Sequence, residues 1–202
     1  MLRYLRDPAN AITAGGLLCS ALALYLALAG HLDLAVSVAL WAVLADHLDG
    51  IVAGRTRNRA PDMAKMGKSL DGFADIIYGS VLPAVIIIEL GGASYLSLVT
   101  AVMLLLTGAI RLSYFANFGL SSDGRFMGVP LSYDIPLLAL FFLLRPMFAA
   151  ETFIFTVMAS FLVLAVLHVA SIRVRAPNGA MYAAIVLFAV VASGSLLFRS
   201  VG

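Results

Sequence analysis

Seven stretches of this chain, residues 11–30, 34–53, 70–90, 95–118, 131–148, 152–172 and 181–198, are almost continuously apolar and approach the length that crosses a bilayer. A helix needs about 20 mostly apolar residues to span the hydrocarbon core. Only helices and closed barrels satisfy every backbone polar group there, and barrel strands would alternate polar with apolar residues, which these runs do not. The longest polar interruption, residues 54–69, has only 16 residues, so nothing is left to build a soluble domain. The expected fold is all-α. It is one polytopic transmembrane bundle of six to seven helices, eight at most, over residues 1–202, with a short N-terminal juxtamembrane segment.

Composition agrees. The chain is 62% apolar and 12% charged, against about 25% charged in soluble domains. That excludes a disordered tail, an ordinary globular enzyme and a basic domain for nucleic acid. The single cysteine, Cys19, lies in an apolar run and excludes both a disulfide framework and a cysteine-rich metal site. The first run has Arg3 and Arg6 before it and Ala27-Leu28-Ala29 at its end, as a signal peptide would. It is longer than a signal core, and the expectation is a retained helix.

With the N-terminus in the cytoplasm and seven alternating spans, ten basic residues fall on the cytoplasmic side: Arg3, Arg6, Arg55, Arg57, Arg59, Lys65, Lys68, Arg125, Arg173 and Arg175. Only Arg145 and Arg199 fall outside, and Arg111 lies within the fourth span. This bias sets the orientation. It puts residues 54–69 and the chemistry around them at the cytoplasmic face of a prokaryotic inner membrane.

Charged side chains inside spans are costly and mark function. Asp46 and Asp49 end the second span; Asp71 and Asp75 open the third. Spacings of three and four residues put each pair on one helix face. One aspartate at a helix end would read as a surface residue, as Asp33 and Asp123 do. Four in face-matched pairs cannot all stay ionised in a partly dry site unless cations sit between them. Mg²⁺ or Mn²⁺, hard ions with oxygen ligands, fit that need. A cation-coupled transporter would use the same carboxylates, but would scatter polar groups at the midplane; these gather at one face.

Gly50, Gly54, Gly67 and Gly72 give a bulky group access to the helix backbones, and the cations of the connecting loop suit phosphates. Among these, Arg55 is chosen because it directly follows the helix, whereas Arg57, Arg59 and Lys65 read as charges meeting lipid head groups. Arg111 reads either as a snorkelling arginine or as an anion clamp, for a lipid phosphate or an acceptor carboxylate. Arg125 is placed to close over the substrate. His47 and His168 read as packing residues and Asp134 as a helix-start residue.

Asp46-x-x-Asp49-Gly50-x-x-Ala53-Gly54-Arg55, then Gly67-x-x-x-Asp71-x-x-x-Asp75, resembles the signature of the CDP-alcohol phosphotransferases. Gly54 is inserted before Arg55, and eleven residues separate Arg55 from Gly67. Asn10-x-x-Thr13, Leu70-Asp71-Gly72-Phe73-Ala74-Asp75 with Pro83, Arg111-Leu112 with Phe115, and Phe126-x-Gly128-Val129-Pro130 are similar to motifs of the phosphatidylserine synthases. The resemblance covers roughly residues 8–135. It implies a homodimer and two divalent cations on Asp46, Asp49, Asp71 and Asp75. Asn10, Thr13, Gly50, Ala53, Arg55 and Gly67 would bind a CDP-lipid, either CDP-diacylglycerol or its diether counterpart. It further implies attack by a small alcohol with release of CMP, and Asp75 as the general base. Serine is the acceptor expected first; choline, inositol and glycerol phosphate remain alternatives.

Overall fold

The computed structural model describes residues 1–201. A 3₁₀ turn, Leu2–Arg6, leads into α1 (Pro8–Leu28) and α2 (Leu32–Arg55). Then come α3 (Pro61–Ile76), a π-turn (Ile77–Val81) and α4 (Leu82–Leu90), which run on as one 30-residue helix. α5 (Tyr95–Phe118), β1 (Arg125–Met127), α6 (Asp134–Leu144), α7 (Ala150–Val169), β2 (Arg173–Arg175) and α8 (Gly179–Val201) follow. Among the described residues, six helices are long and apolar enough to cross a membrane, and the protein is an integral membrane protein built as a helix bundle.

The structure corrects two details. Residues 54–69 are mostly not a loop: α2 continues to Arg55 and α3 starts at Pro61. Proline at the first helical position fits there because its missing N–H would have been unpaired anyway. The first turns of α3 are amphipathic rather than apolar, so hydropathy alone starts the span too late. Lys65 and Lys68 therefore stand on a helix, and Lys68 Nζ donates to the Ala116 carbonyl at the end of α5.

The second correction concerns α6, whose 11 residues are short for a crossing. Flanking 3₁₀ turns, Leu131–Tyr133 and Arg145–Met147, extend it. At the usual rises the three pieces reach about 28 Å, close to the hydrocarbon thickness. β1 follows α5 and β2 follows α7, yet the two pair antiparallel, Phe126 opposite Val174. The α6–α7 hairpin therefore leaves one end of the bundle and returns to it. At the opposite end, Arg145 of the α6 exit pairs with Asp33 of the α2 entry at 3.6 Å.

Alanines let the first two helices pack closely: Ala23, Ala27, Ala35 and Ala39 are fully buried. Leu40, Leu82, Ile86, Ile135, Phe142 and Phe161 continue the core across the bundle. Ser37 bonds to Ser193 at 2.9 Å, and Trp41 Nε1 donates to Ser193 Oγ at 3.0 Å, tying α2 to α8. Leu18, Leu22, Val102, Leu106, Val163 and Val190 face outward, a belt that water would penalise and lipid does not.

Candidate functional site

Asp46 and Asp49 lie on the last turns of α2, and Asp71 and Asp75 on the last turns of α3. The short turn between these helices folds the two acidic faces together. One carboxylate oxygen each from Asp46, Asp71 and Asp75 lies within 4.8 Å of the other two. Asp49 stands beside this triad on the wall of the same cavity and accepts a hydrogen bond from the Thr13 hydroxyl of α1. Three converging carboxylate oxygens with a fourth carboxylate adjacent are a donor set for a hard divalent cation. Tyr78 adds a contact that the sequence reading missed. Its hydroxyl donates to Asp75 Oδ1 at 2.9 Å.

On one side of the aspartates, a cavity of about 200 Å³ is lined by Asn10, Thr13, Asp49, Gly50, Ala53, Arg59, Gly67, Lys68 and Asp71. It gathers five of the six residues expected for the CDP-lipid. Arg55 is the exception: it is exposed and lines none of this wall. The inserted Gly54 and the continuing helix carry it past the cavity. The cations that do line it are Arg59 and Lys68. Arg59 Nε and Nη2 donate to the two carboxylate oxygens of Asp7 at 3.0 and 2.9 Å, and Nη2 also donates to Asn10 Oδ1 at 2.7 Å.

Burial works against the Asp7 charge, but hydrogen bonds from Arg59 and from the Asn10 amide hold its carboxyl below the usual range. Asn10 Nδ2 donates to the Tyr4 and Met63 carbonyls, sewing the N-terminal segment to α3. A side chain at Gly67 would run into Asn10 and Arg59, so glycine permits this close approach. Gly50 has open space above it.

On the other side, a second cavity of about 200 Å³ joins the four aspartates to Tyr78, Arg111, Phe126 and Ser132. Arg111 is 6% exposed, and its Nε finds no hydrogen-bond partner among the described residues. Its guanidinium lies 5.6 Å from the Phe115 ring and 5.7 Å from the Phe126 ring. Arg111 is thus held by aromatic faces, with donors left over.

Phe126 is set by the β1–β2 pair and by the turn after it. Gly128 N donates to the Ile172 carbonyl and Val129 N to the Leu167 carbonyl. His168 and Asp134 complete that dock. His168 Nδ1 bonds the Val129 carbonyl at 2.9 Å, and Nε2 faces Asp134 at 3.2 Å, both side chains fully buried. A carbonyl can only accept, so Nδ1 carries a proton. Asp134 is a buried partner of His168 rather than a plain helix start, and His168 ties α7 to the loop before α6. Arg125 lines neither cavity: it is half exposed and pairs with Asp123 at 3.6 Å. His47 donates from Nδ1 to the Val43 carbonyl at 2.7 Å and meets the Tyr182 ring edge-on.

A third, mainly apolar cavity of about 270 Å³ opens from Asp46 and Gly50 past Phe126 and Pro136 to Tyr182 and Ile185 of α8.

Comparison with known proteins accords with this geometry. The archaetidylserine synthase of Methanothermobacter thermautotrophicus is 32% identical over 123 residues, 60% of this chain and 52% of that protein. A CDP-diacylglycerol–serine O-phosphatidyltransferase of Bacillus subtilis is 30% identical over 60% of this chain and 67% of its own. One of Methanocaldococcus jannaschii is 33% identical over 44% of this chain and 40% of its own. The chain thus matches between two fifths and two thirds of the length of these relatives. The family model for CDP-alcohol phosphatidyltransferases matches residues 7–191, nearly the whole bundle and every aspartate of the cluster. The chain belongs to the CDP-alcohol phosphatidyltransferase family.

Proposed function

We propose that this protein transfers the phosphatidyl group of a CDP-lipid, diacyl or diether, to the hydroxyl of L-serine and releases CMP. The observation that carries the reading is the aspartate cluster between two unlike cavities, one edged by Arg59 and Lys68, the other by the unpartnered Arg111. The nucleotide diphosphate belongs with the first. The acceptor belongs with the second, because displacement at phosphorus needs nucleophile and leaving group roughly in line. The apolar third cavity suits the lipid. Serine is favoured over choline because the three relatives carry serine in their names and because Arg111 suits a carboxylate. Inositol phosphate or glycerol phosphate, both anionic, would call for more cations than Arg111 on that side.

Two divalent cations, Mg²⁺ or Mn²⁺, held by Asp46, Asp49, Asp71 and Asp75, would neutralise the diphosphate and stabilise the departing CMP. The chain's own part is positional and basic. Asn10, Thr13, Ala53, Arg59, Gly67 and Lys68 bind and orient the nucleotide. Arg111 orients the acceptor. Asp75 takes the hydroxyl proton as the oxygen–phosphorus bond forms and the bond to CMP breaks, its electron pair leaving with CMP. The distribution of basic residues supports a cytoplasmic opening in a prokaryotic inner membrane, and the family resemblance supports a homodimer.

Purified protein in detergent, given labelled CDP-lipid and Mg²⁺ or Mn²⁺, is expected to release CMP on addition of serine with no ion gradient present. Gradient-driven ion uptake into vesicles without CMP release would overturn the reading in favour of transport. CMP release with choline alone would move the acceptor and leave the chemistry.

The replacement of Arg55 by Arg59 in the nucleotide role has its own test. Arg59→Ala should raise the KM for CDP-lipid about tenfold or more, since it removes charge-assisted bonds from the cavity wall. Arg55→Ala should change it by no more than about twofold, as an exposed charge would. Equal effects of the two variants would return Arg55 to the site.

A further inference from the structure

Among the described residues, the phenol of Tyr78 is the one neutral side chain bonded to the cluster's last aspartate, and no motif quoted above includes its position. Its side chain is 1% exposed, and its hydroxyl donates to Asp75 Oδ1 at 2.9 Å. We infer that Tyr78 is a positioning residue: it holds one oxygen of Asp75 so that the other, Oδ2, faces the acceptor hydroxyl. This rests on the reading of Asp75 as the proton acceptor.

The local fold explains why the phenol stays there. Tyr78 sits in the π-turn Ile77–Val81, and Pro83 lies just beyond it. Proline has no N–H for the Gly79 carbonyl four residues back, and its ring would crowd that carbonyl. Widening the helix by one residue relieves both problems.

The widened turn is then pinned from two sides. Ser80 Oγ donates to the Leu104 carbonyl of α5 at 2.8 Å. Gly79 presses so close to Leu131 that a Cβ there would stand 2.7 Å from the Leu131 Cβ. With its backbone clamped and its ring in the core, Tyr78 has little freedom to release Asp75.

A carboxylate on a single χ2 torsion presents either oxygen to a neighbour. A donor fixed on Oδ1 removes that choice. In the transfer step the acceptor O–H proton goes to Oδ2, the oxygen–phosphorus bond forms, and the electron pair of the broken bond leaves with CMP. Tyr78 keeps its own proton throughout. Its contribution is the alignment of the base, which geometry-sensitive proton transfer rewards.

Tyr78→Phe keeps the ring and its packing and removes only the donor. The expected result is a kcat about 10- to 100-fold lower, with the KM values for serine and CDP-lipid within about twofold of wild type. The solvent deuterium isotope effect on kcat should rise, because a misaligned base makes proton transfer limit the rate. In the Asp75→Asn background the same substitution should cost no further activity, since it acts through the carboxylate that has been removed. Mn²⁺ affinity by paramagnetic resonance on lipid-free protein, and the Tm, should stay near wild type.

Wild-type kcat in Tyr78→Phe overturns the role. So does a lower kcat with an unchanged isotope effect, or losses that add to those of Asp75→Asn, either of which would mark a packing residue. A wild-type protein that releases no CMP with any alcohol overturns the transferase reading, and this role with it. An active wild type beside an unimpaired Tyr78→Phe overturns the role of Tyr78 alone.

Discussion

Asp46→Asn, Asp49→Asn and Asp71→Asn are each expected to lower CMP release by about three orders of magnitude while the protein still inserts and folds. Asparagine keeps the shape of the side chain and removes the charge that a hard cation needs. A cation that neutralises a transferring phosphoryl group supplies several kcal/mol of transition-state stabilisation, and about 4 kcal/mol corresponds to a thousandfold in rate.

The geometry also separates this result from misfolding. One oxygen each of Asp46, Asp71 and Asp75 lies within 4.8 Å of the other two, so without a cation the carboxylates repel. Removing one charge should leave the Tm of the metal-free protein unchanged or higher while activity falls. Added Mn²⁺ should raise the Tm of the wild type more than that of any variant. Chelation should abolish turnover, and readdition of Mg²⁺ or Mn²⁺ should restore it. Full activity in any one of the three variants would sink the proposal that these carboxylates hold the ion.

How much of this was legible in the sequence depends on the range of the interaction concerned. Spans are local, and continuous apolar runs mark them wherever the helix meets lipid along its full length. They mark them poorly where a helix emerges from lipid, which is why α3 starts at Pro61, well before the apolar run at residue 70. They also cannot show that 3₁₀ turns complete the α6 crossing. The aspartates were legible because a carboxylate in an apolar run is conspicuous and because spacings of three and four residues read directly as one helix face.

The cations were not legible in that way. Arg59 enters the cavity beside Asp49 through contacts with Asp7 and Asn10, 52 and 49 residues away in sequence. Nothing local distinguishes it from Arg57, and the one local cue, position directly after the helix, favours Arg55 instead. The same holds for His168 and Asp134, 34 residues apart, whose pairing turns a side chain read as packing and one read as a helix start into the support for the Phe126 loop. Tyr78 is the intermediate case. It lies three residues beyond Asp75, so the shared face was readable, but the clamped turn that fixes it depends on α5 and on Leu131.

Arg111→Ala is expected to raise the KM for serine about 10- to 150-fold and to leave that for CDP-lipid nearly unchanged. A buried guanidinium with a free Nε is costly to keep, because the desolvated donor has lost water and gained nothing among the described residues. Phe115 and Phe126 hold its plane from their ring faces, which compensates in part and leaves the donor edge available. A carboxylate is the ligand that such a fork fits, and a charge-assisted contact of this kind is worth about 1.5–3 kcal/mol, the energy behind the expected change.

Arg111→Lys should recover only part of the loss, since an ammonium keeps the charge but not the two-pronged geometry. Choline carries no carboxylate, so an enzyme for choline should show no such response in its acceptor constant. Should the CDP-lipid constant rise and the serine constant stay put, Arg111 holds the lipid phosphate instead. The argument from this side chain for serine over choline would then be lost, while the aspartate cluster, the two cavities and the family would stand unchanged.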